Sequence, residues 1–191
     1  MKKKFEYFLN AIHYCLWLSD IKFGDFMGKI VDVLLSPVPK YLFTKEYRKK
    51  YYERLSEVQT TKEKFFYDKK SGYHIGSAHH WFGFFYSGYP GYIGFIIIGL
   101  LIGGCANFKE IYLLTYAIPV GLCYVPAYKA VFSNDRYLKF FNEFEKEDDA
   151  WHKKWKRRTI AFIIGSIAIT LLGIATTFFI AIKLTEYRNM Q

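Results

Sequence analysis

The feature that most restricts the fold of this chain is an uncharged run of 24 residues, Thr159–Ile182. A membrane-spanning helix needs about 20 consecutive, mostly apolar residues, so the run is long enough to cross a bilayer. Five basic residues within Lys153–Arg158 lie directly before it. The run therefore predicts a transmembrane helix with positive charge at its first end.

Two other segments have the length and apolar character of membrane spans, Phe82–Gly104 and Ile111–Phe132. The second contains Pro119, Pro126 and Lys129, but Lys129 lies close enough to the end of the span for its amine to reach the interface. The pattern predicts an all-α fold: an integral membrane protein with three transmembrane helices, plus amphipathic or cytosolic helices at the N-terminus.

Lysine and arginine are unevenly distributed around these spans. Residues 1–81 hold fifteen of them and residues 133–158 hold eight, whereas residues 105–110 hold one and residues 183–191 hold two. Since flanks rich in Lys and Arg stay on the cytosolic side, we predict a cytoplasmic N-terminus and an extracytoplasmic C-terminus, in a bacterial-type inner (plasma) membrane. The predicted regions are a basic helical region 1–81, a transmembrane hairpin 82–132, a charged cytosolic helix 133–158, a third transmembrane helix 159–182 and a short extracytoplasmic tail 183–191.

The basic N-terminal region has helical periodicity. Apolar residues recur at helical spacing in residues 5–16 and again in residues 26–34, and Pro37 and Pro39 then interrupt the pattern. Residues 1–36 fit either amphipathic helices on the membrane surface or a small cytosolic core, because periodicity alone does not separate these alternatives. Further helices are predicted to start at the capping residues Thr44 and Thr60. A loop is predicted at Gly72 and Gly76.

Small residues line one face of the third span and part of the first. At such positions two helices approach closely, and hydroxyl groups bond across the contact. We interpret the face as a helix-packing surface, either within the chain or between copies of it. Three spans offer few internal partners, which favours self-association. The residues are Ser166, Thr170, Gly173, Thr177 and Ala181 in the third span and Gly99 and Gly103 in the first.

The second predicted span combines prolines with tyrosines, at Pro119, Pro126, Tyr116 and Tyr124. Proline frees a backbone carbonyl one turn earlier, and in a membrane that carbonyl must find a new donor. A pore or substrate path uses such features, although tyrosines at helix ends also form ordinary interfacial belts. The three predicted spans hold no Asp, Glu or His, which argues against an ion-coupled transporter.

The segment before the third span combines tryptophan with basic residues. Taken alone, it fits a nucleic-acid-binding patch with an interleaved aromatic residue. However, 52% of the chain is hydrophobic and 21% is aromatic, and the span follows at once, so an anchor to a bilayer with anionic lipids fits better than nucleic acid. The predicted anchor residues are Trp151, Lys153, Lys154, Trp155, Lys156, Arg157 and Arg158.

Three histidines precede the first span, His74, His79 and His80. Together they suggest a metal site at the membrane surface, but their spacing matches no HExxH or HxxxH motif, and interfacial histidines are the simpler interpretation. The chain also has no CxxC pair, GxSxG, Walker loop or GxGxxG, so we predict no cofactor.

Three functional hypotheses follow, in order of preference. The first is a non-enzymatic integral membrane protein that serves as an oligomeric subunit, scaffold or accessory protein of a membrane complex, through self-association or a membrane-protein partner. The second is an oligomeric pore or a membrane-permeabilising effector. The third is a membrane-surface, metal-dependent enzyme that uses His74, His79 and His80.

Overall fold

The computed structural model describes residues 2–35, 37, 41, 43–103 and 109–190. Within these residues the chain forms helices joined by turns, with no strand, which confirms the predicted all-α class. The helices are α1 (Lys2–Leu35), α2 (Lys45–Tyr67), α3 (Tyr73–Gly103), α4 (Lys109–Val131), α5 (Arg136–Phe144) and α6 (Asp149–Asn189), with a 3₁₀ turn at Ser133–Asp135.

Helix α3 lies against α6 along most of its length. Contacts between them begin near Gly88, which faces Ser166, and extend to Gly103, which faces Leu184. The residue numbers increase in the same direction along both helices, so α3 and α6 run parallel. Because these glycines have no side chain of their own, the helices can approach closely, and at Gly99 the nearest atoms belong to the Thr177 backbone.

Helix α4 packs on a different side of α3 and runs in the opposite direction. Gly83 of α3 faces Tyr124, whereas Gly94, further along α3, faces Tyr116. Helix α4 therefore returns the chain alongside α3, from the far end of the α3–α6 pair to the end where α6 begins.

The densest packing lies where α6 begins. The first half of α1, from Leu9 to Trp17, is buried there against the start of α3, the end of α4, α5 and the first turns of α6. The Asn10 side-chain amide donates to Ala130 O at 3.1 Å, across 120 residues of sequence. We call this cluster the basal core; its largest buried side chains include Leu9, Ile12, Ile75, Phe82, Val131, Phe141 and Phe144.

Beyond the basal core, the outward faces of α3, α4 and α6 are apolar and exposed. The most apolar part of α6 is only 11% buried, and that of α3 is 28% buried. A long apolar helix at the centre of a water-soluble protein would be mostly buried, since exposed apolar patches of this extent are rare on soluble monomers. The exposed residues include Ile93, Ile97, Leu100, Leu113, Leu114, Ile118, Leu122, Ile160, Ile164, Ile167, Leu171, Leu172, Phe178 and Phe179.

The described residues contain two candidate membrane spans, not the predicted three. Helices α3 and α6 are long and apolar enough to cross a membrane, whereas α4, which holds the predicted span Ile111–Phe132, does not reach the same apolarity. The reason is composition, because α4 carries Pro119, Pro126 and Lys129 as well as several tyrosines, which lower its mean hydropathy.

Several helices begin at other positions than predicted. Helix α3 begins at Tyr73, so Gly76 and the boundary at residue 81 lie inside a helix rather than in a loop. Helix α2 follows Thr44 as expected but continues through Thr60 without a new start. Helix α1 is one continuous helix that includes both of the periodic segments, residues 5–16 and 26–34. Pro39 and residues 104–108 lie outside the described residues.

The predicted charged helix 133–158 is divided in two. Helix α5 ends at Phe144, and α6 begins at Asp149 because the Asp148 carboxylate caps it, accepting a hydrogen bond from Trp151 N at 2.7 Å. Helix α6 then continues without a break through the apolar run to Asn189. Its first turns belong to the basal core, and the remainder lies in the apolar layer formed by α3, α4 and α6.

Candidate functional site

The predicted helix-packing face is occupied within the chain. Gly99 leaves room for Thr177, whose hydroxyl donates to Phe95 O at 2.8 Å, and Gly173 accommodates the Phe95 ring. The partner of this face is α3 of the same chain, so a second copy is not needed to explain it. Of the predicted residues, Gly99, Gly103, Ser166, Gly173 and Thr177 are buried, and Thr170 and Ala181 are half-buried.

The predicted proline and tyrosine path lies in the contact between α3 and α4. Tyr116 packs over Gly91 and Gly94, and Tyr124 packs over Gly83. Both rings fill space that the α3 glycines leave, so they join two helices rather than line an open channel. The two prolines of the predicted path remain within the continuous helix α4, with Pro119 half-buried and Pro126 exposed.

The three predicted metal-ligating histidines are not brought together. His74 and His79 have different partners, and His80 is exposed beside Trp81. Among the described residues, no group of three or more His, Cys, Asp or Glu side chains is placed to hold a metal ion.

His74 joins α3 to α1 through a carboxylate. Its Nδ1 lies 2.6 Å from Asp20 Oδ2, and the Ser77 hydroxyl donates to Asp20 Oδ1 at 2.8 Å. The His74 ring lies over Gly24, where a β-carbon would be 2.5 Å from Cε1 of the ring. The serine bonds the carboxylate rather than the imidazole, so this group fixes two helices and lacks the geometry of a Ser–His–Asp triad.

A pair of histidines, His13 and His79, lies in the basal core. His13 Nε2 and His79 Nδ1 lie 3.0 Å apart, and the His13 ring contacts those of Phe82, Tyr137 and Phe141. One imidazole donates and the other accepts, so one of the two facing nitrogens must be unprotonated. Burial, and then the neighbouring His79, hold the pKa of His13 well below its ordinary value of 6.5. The pair is therefore a structural contact, and the lowered pKa of His13 favours its neutral form.

His13 and Asp20 are not among the predicted site residues, but the sequence carries a signal for them. Both lie on the apolar stripe of α1 that also holds Leu9 and Leu16. A polar side chain on such a stripe needs a partner when the stripe is buried. In the structure, His79 and His74 supply those partners.

The tryptophans of the predicted membrane anchor face inward. Trp155 is buried against Tyr7, and Trp151 donates its indole N–H to Tyr7 Oη at 2.8 Å. The basic residues of the same segment are exposed, and the Arg158 guanidinium lies 4.7 Å from the centre of the Trp155 ring. The segment thus has an aromatic side in the basal core and a cationic side in solvent.

Lys154 and Arg158 face a groove between α1 and α6. The groove has a volume of about 520 Å³ and is lined by four aromatic and four basic side chains. The remaining basic anchor residues, Lys153, Lys156 and Arg157, are exposed on α6 outside this lining. We call the cavity the basic groove; its lining residues are Lys3, Lys4, Tyr7, Phe8, Trp151, Lys154, Trp155 and Arg158.

Compared with known protein families, with curated proteins and with solved structures, the chain matches none of them. Functional inference therefore rests on the geometry of the chain itself.

Proposed function

We propose that the chain is a non-enzymatic integral membrane protein with three spans, which serves as an accessory or scaffolding subunit of a membrane complex. The observation that carries the proposal is the exposed apolar layer of α3, α4 and α6, joined to a folded basal core whose surrounding segments are rich in Lys and Arg. Such a layer requires an apolar solvent, and a bilayer supplies it.

The direction of the helices supports a proposal of three spans. Helices α3 and α6 run parallel, and both start at the basal core. The chain must therefore return to the basal end between them, and α4 makes this return alongside α3. If α3 and α6 cross a membrane, α4 crosses it as well, whatever its own mean hydropathy. Its outward face supports this, since Leu113, Leu114, Ile118 and Leu122 are exposed.

The distribution of charge supports a cytoplasmic basal core. The basal end carries Lys69, Arg136 and the cluster Lys153–Arg158, whereas Lys183 and Arg188 are the basic residues at the far end of α6. By the positive-inside rule, this asymmetry favours an N-terminus inside and a C-terminus outside a bacterial-type plasma membrane.

The second half of α1, residues 22–35, offers a surface for a partner. Its polar side faces α2, where the Tyr67 hydroxyl donates to Asp25. Its other side is an apolar stripe at helical spacing that the described residues leave exposed. An amphipathic helix of this kind docks into an apolar groove of a partner or lies on a membrane surface. We call residues 22–35 the arm; its stripe consists of Phe23, Phe26, Met27, Ile30 and Leu34.

Alkaline carbonate extraction tests the membrane assignment. We expect the full chain to stay in the membrane pellet at high pH and to dissolve only with detergent, because α3, α4 and α6 would lie in the hydrocarbon layer. Release of the chain by carbonate alone would contradict the assignment.

Site-specific photo-crosslinking in native membranes tests the partner. A crosslinking amino acid at Ile30 lies on the stripe, and the same amino acid at Asp32 lies on the polar side of the arm and serves as the control. We expect one discrete protein adduct from Ile30 and none from Asp32. An adduct with a second copy identifies a homo-oligomer, whereas lipid adducts alone assign the stripe to the membrane surface and remove the support for a complex.

A further inference from the structure

We propose that the basic groove binds the headgroup of one anionic phospholipid, and that Lys154 and Arg158 hold its phosphate. The proposal rests on membrane integration of the chain, since it places the groove at the cytoplasmic interface. The proposal goes beyond the predicted membrane anchor, because it assigns lipid binding to one discrete site.

The first observation is a set of cations without counterions. Lys3 and Lys4 of α1 and Lys154 and Arg158 of α6 line the same cavity, although they come from opposite parts of the sequence. The lining holds no Asp or Glu, and among the described residues none of these four side chains forms an ion pair with a carboxylate. Four like charges around one cavity repel each other, so an anion between them would be favoured.

A neighbouring cavity shows that this arrangement is not general on the basal surface. It shares Lys3 with the basic groove but is also lined by Glu6, Asp135 and Arg136. There the Arg136 guanidinium lies 3.1 Å from the Glu6 carboxylate. Two carboxylates therefore offset most of the positive charge of its lining, which also includes Lys139, whereas the lining of the basic groove contains no carboxylate.

The second observation is that the groove is preorganised. The indole N–H of Trp151 donates to Tyr7 Oη at 2.8 Å, which fixes two of its aromatic walls. The Arg158 guanidinium lies 4.7 Å from the centre of the Trp155 ring, a cation–π contact that restrains it. A phosphate would therefore meet a guanidinium that is already positioned, and guanidinium groups bind phosphate oxygens in a bidentate manner.

The third observation separates a lipid from a soluble anion. Directly after Arg158, α6 enters the apolar layer, where Ile160 and Ile164 are exposed. Phe8 of the groove contacts Phe162 at 6.4 Å between ring centres, so the aromatic lining continues toward that layer. A phospholipid can contact the basic groove with its phosphate and the apolar layer with its acyl chains, whereas a soluble anion can contact only the basic groove.

The experiment compares two double variants with the same loss of charge. Lys154→Ala with Arg158→Ala removes the α6 side of the groove, and Lys153→Ala with Arg157→Ala removes two cations at the same spacing on the same helix outside it. The full chain in detergent micelles is titrated with short-chain phosphatidylglycerol, and bound lipids are counted by native mass spectrometry. Short-chain phosphatidylcholine is the neutral control.

We expect the wild type to bind one phosphatidylglycerol saturably and to prefer it over phosphatidylcholine. Loss of two charge-assisted contacts should weaken this binding by about tenfold or more in the groove variant. The control variant should stay within about twofold of the wild type, because exposed charges outside the site contribute little. Equal weakening in both variants would show a diffuse electrostatic surface and overturn the site.

Two competitors test the chemistry of the occupant. Millimolar inorganic phosphate should not displace the lipid; displacement would identify a soluble-anion site instead. A short single-stranded RNA should not displace it either, and displacement by RNA would assign the groove to nucleic acid. Carbonate extraction of both variants is measured in parallel, so that loss of the lipid site is distinguished from loss of membrane integration.

Discussion

At the residue scale, His13 is the side chain whose protonation would disturb the basal core most. Its contacts with titratable groups are His79 from α3 and Tyr137 from α5. Burial, followed by the Asp135 and Asp68 carboxylates, raises the pKa of Tyr137 to about 12, so its phenol stays neutral. No carboxylate of the described residues contacts the His13 ring to stabilise a positive charge.

The pH dependence of stability follows from this site. Because the pKa of His13 is lower in the folded state than its ordinary value of 6.5, the unfolded chain binds the proton first as the pH falls. The contribution of His13 to the free energy of unfolding should be constant above that value and fall below it, by up to about 1.4 kcal/mol per pH unit, and His79, whose pKa burial also lowers, should add to the fall. Thermal unfolding in detergent between pH 7.5 and pH 5 measures the effect.

Two variants serve as controls for the pH effect. His80 is exposed, so His80→Gln should leave the pH dependence unchanged. His13→Gln should reduce it and leave the part due to His79, whose pKa is also lowered by burial, even if the variant is less stable overall at neutral pH. A wild-type midpoint that does not change between pH 7.5 and pH 5 would contradict the neutral-pair interpretation.

Individual site residues were only partly predictable from the sequence. His74 and His79 are singled out by their position before an apolar segment, but their partners His13 and Asp20 are about 60 residues away and come together only through tertiary packing. Spacing within one segment cannot reveal such pairs. The basic groove shows the same limit, because its α1 side is contributed by the first turns of the chain.

At the element scale, the contact between α3 and α6 depends on glycine. A β-carbon at Gly99 would lie 3.0 Å from Thr177 O and 3.1 Å from Thr177 Cα, both backbone atoms that cannot rotate away. Gly99→Leu should therefore lower the free energy of unfolding by about 1–3 kcal/mol through overpacking. Thermal unfolding in detergent measures the loss.

Gly121 of α4 is the matched control for this substitution. A β-carbon there would meet nothing within 4 Å, and the residue is exposed. Gly121→Leu should therefore stay within about 0.5 kcal/mol of the wild type. Similar losses in both variants would show that the α3–α6 contact is not closely packed.

The boundaries of the elements were harder to predict than their existence. Residues 133–158 were predicted as a single charged helix, and only the geometry of Asp148 places a break there. In α4, prolines and tyrosines lower the mean hydropathy of the helix. However, the rings of Tyr116 and Tyr124 pack against glycines of α3. A mean hydropathy depends only on residue types, so it does not show that a tyrosine ring packs against a neighbouring helix.

At the scale of the whole molecule, the proposed topology predicts which surface positions share a compartment. Lys109 at the start of α4 and Glu186 near the end of α6 should lie outside, and Glu147 between α5 and α6 should lie inside. Single cysteines at these positions, in a chain with Cys105 and Cys123 replaced by alanine, can be labelled with an impermeant maleimide. Cys15 can stay, because burial raises the pKa of its thiol and shields it.

In intact cells we expect labelling of Lys109→Cys and Glu186→Cys, and labelling of Glu147→Cys only after permeabilisation. Labelling of Lys109→Cys from the inside would show that α3 does not cross. The reverse pattern at all three positions would keep the three spans but invert the orientation.

The overall architecture was more accessible to sequence reasoning than the arrangement of its parts. The uncharged run and the all-α class follow from local composition, since helix formation in an apolar solvent depends on residues within one segment. That the first half of α1 is buried while the arm is exposed could not be derived in this way. Both halves are amphipathic, and only the first meets α5 and the start of α6.

The contact between Tyr7 and Trp151 joins residues that are 144 positions apart. During synthesis, the first half of α1 leaves the ribosome long before α5 and α6 exist to cover it. Helices α3 and α4 can cover only part of its apolar side, and the part that faces α5 and α6 stays uncovered while they are made. A chain terminated before Trp151 would leave Tyr7 without its α6 partners, so the basal core is complete only after the first turns of α6 have been made.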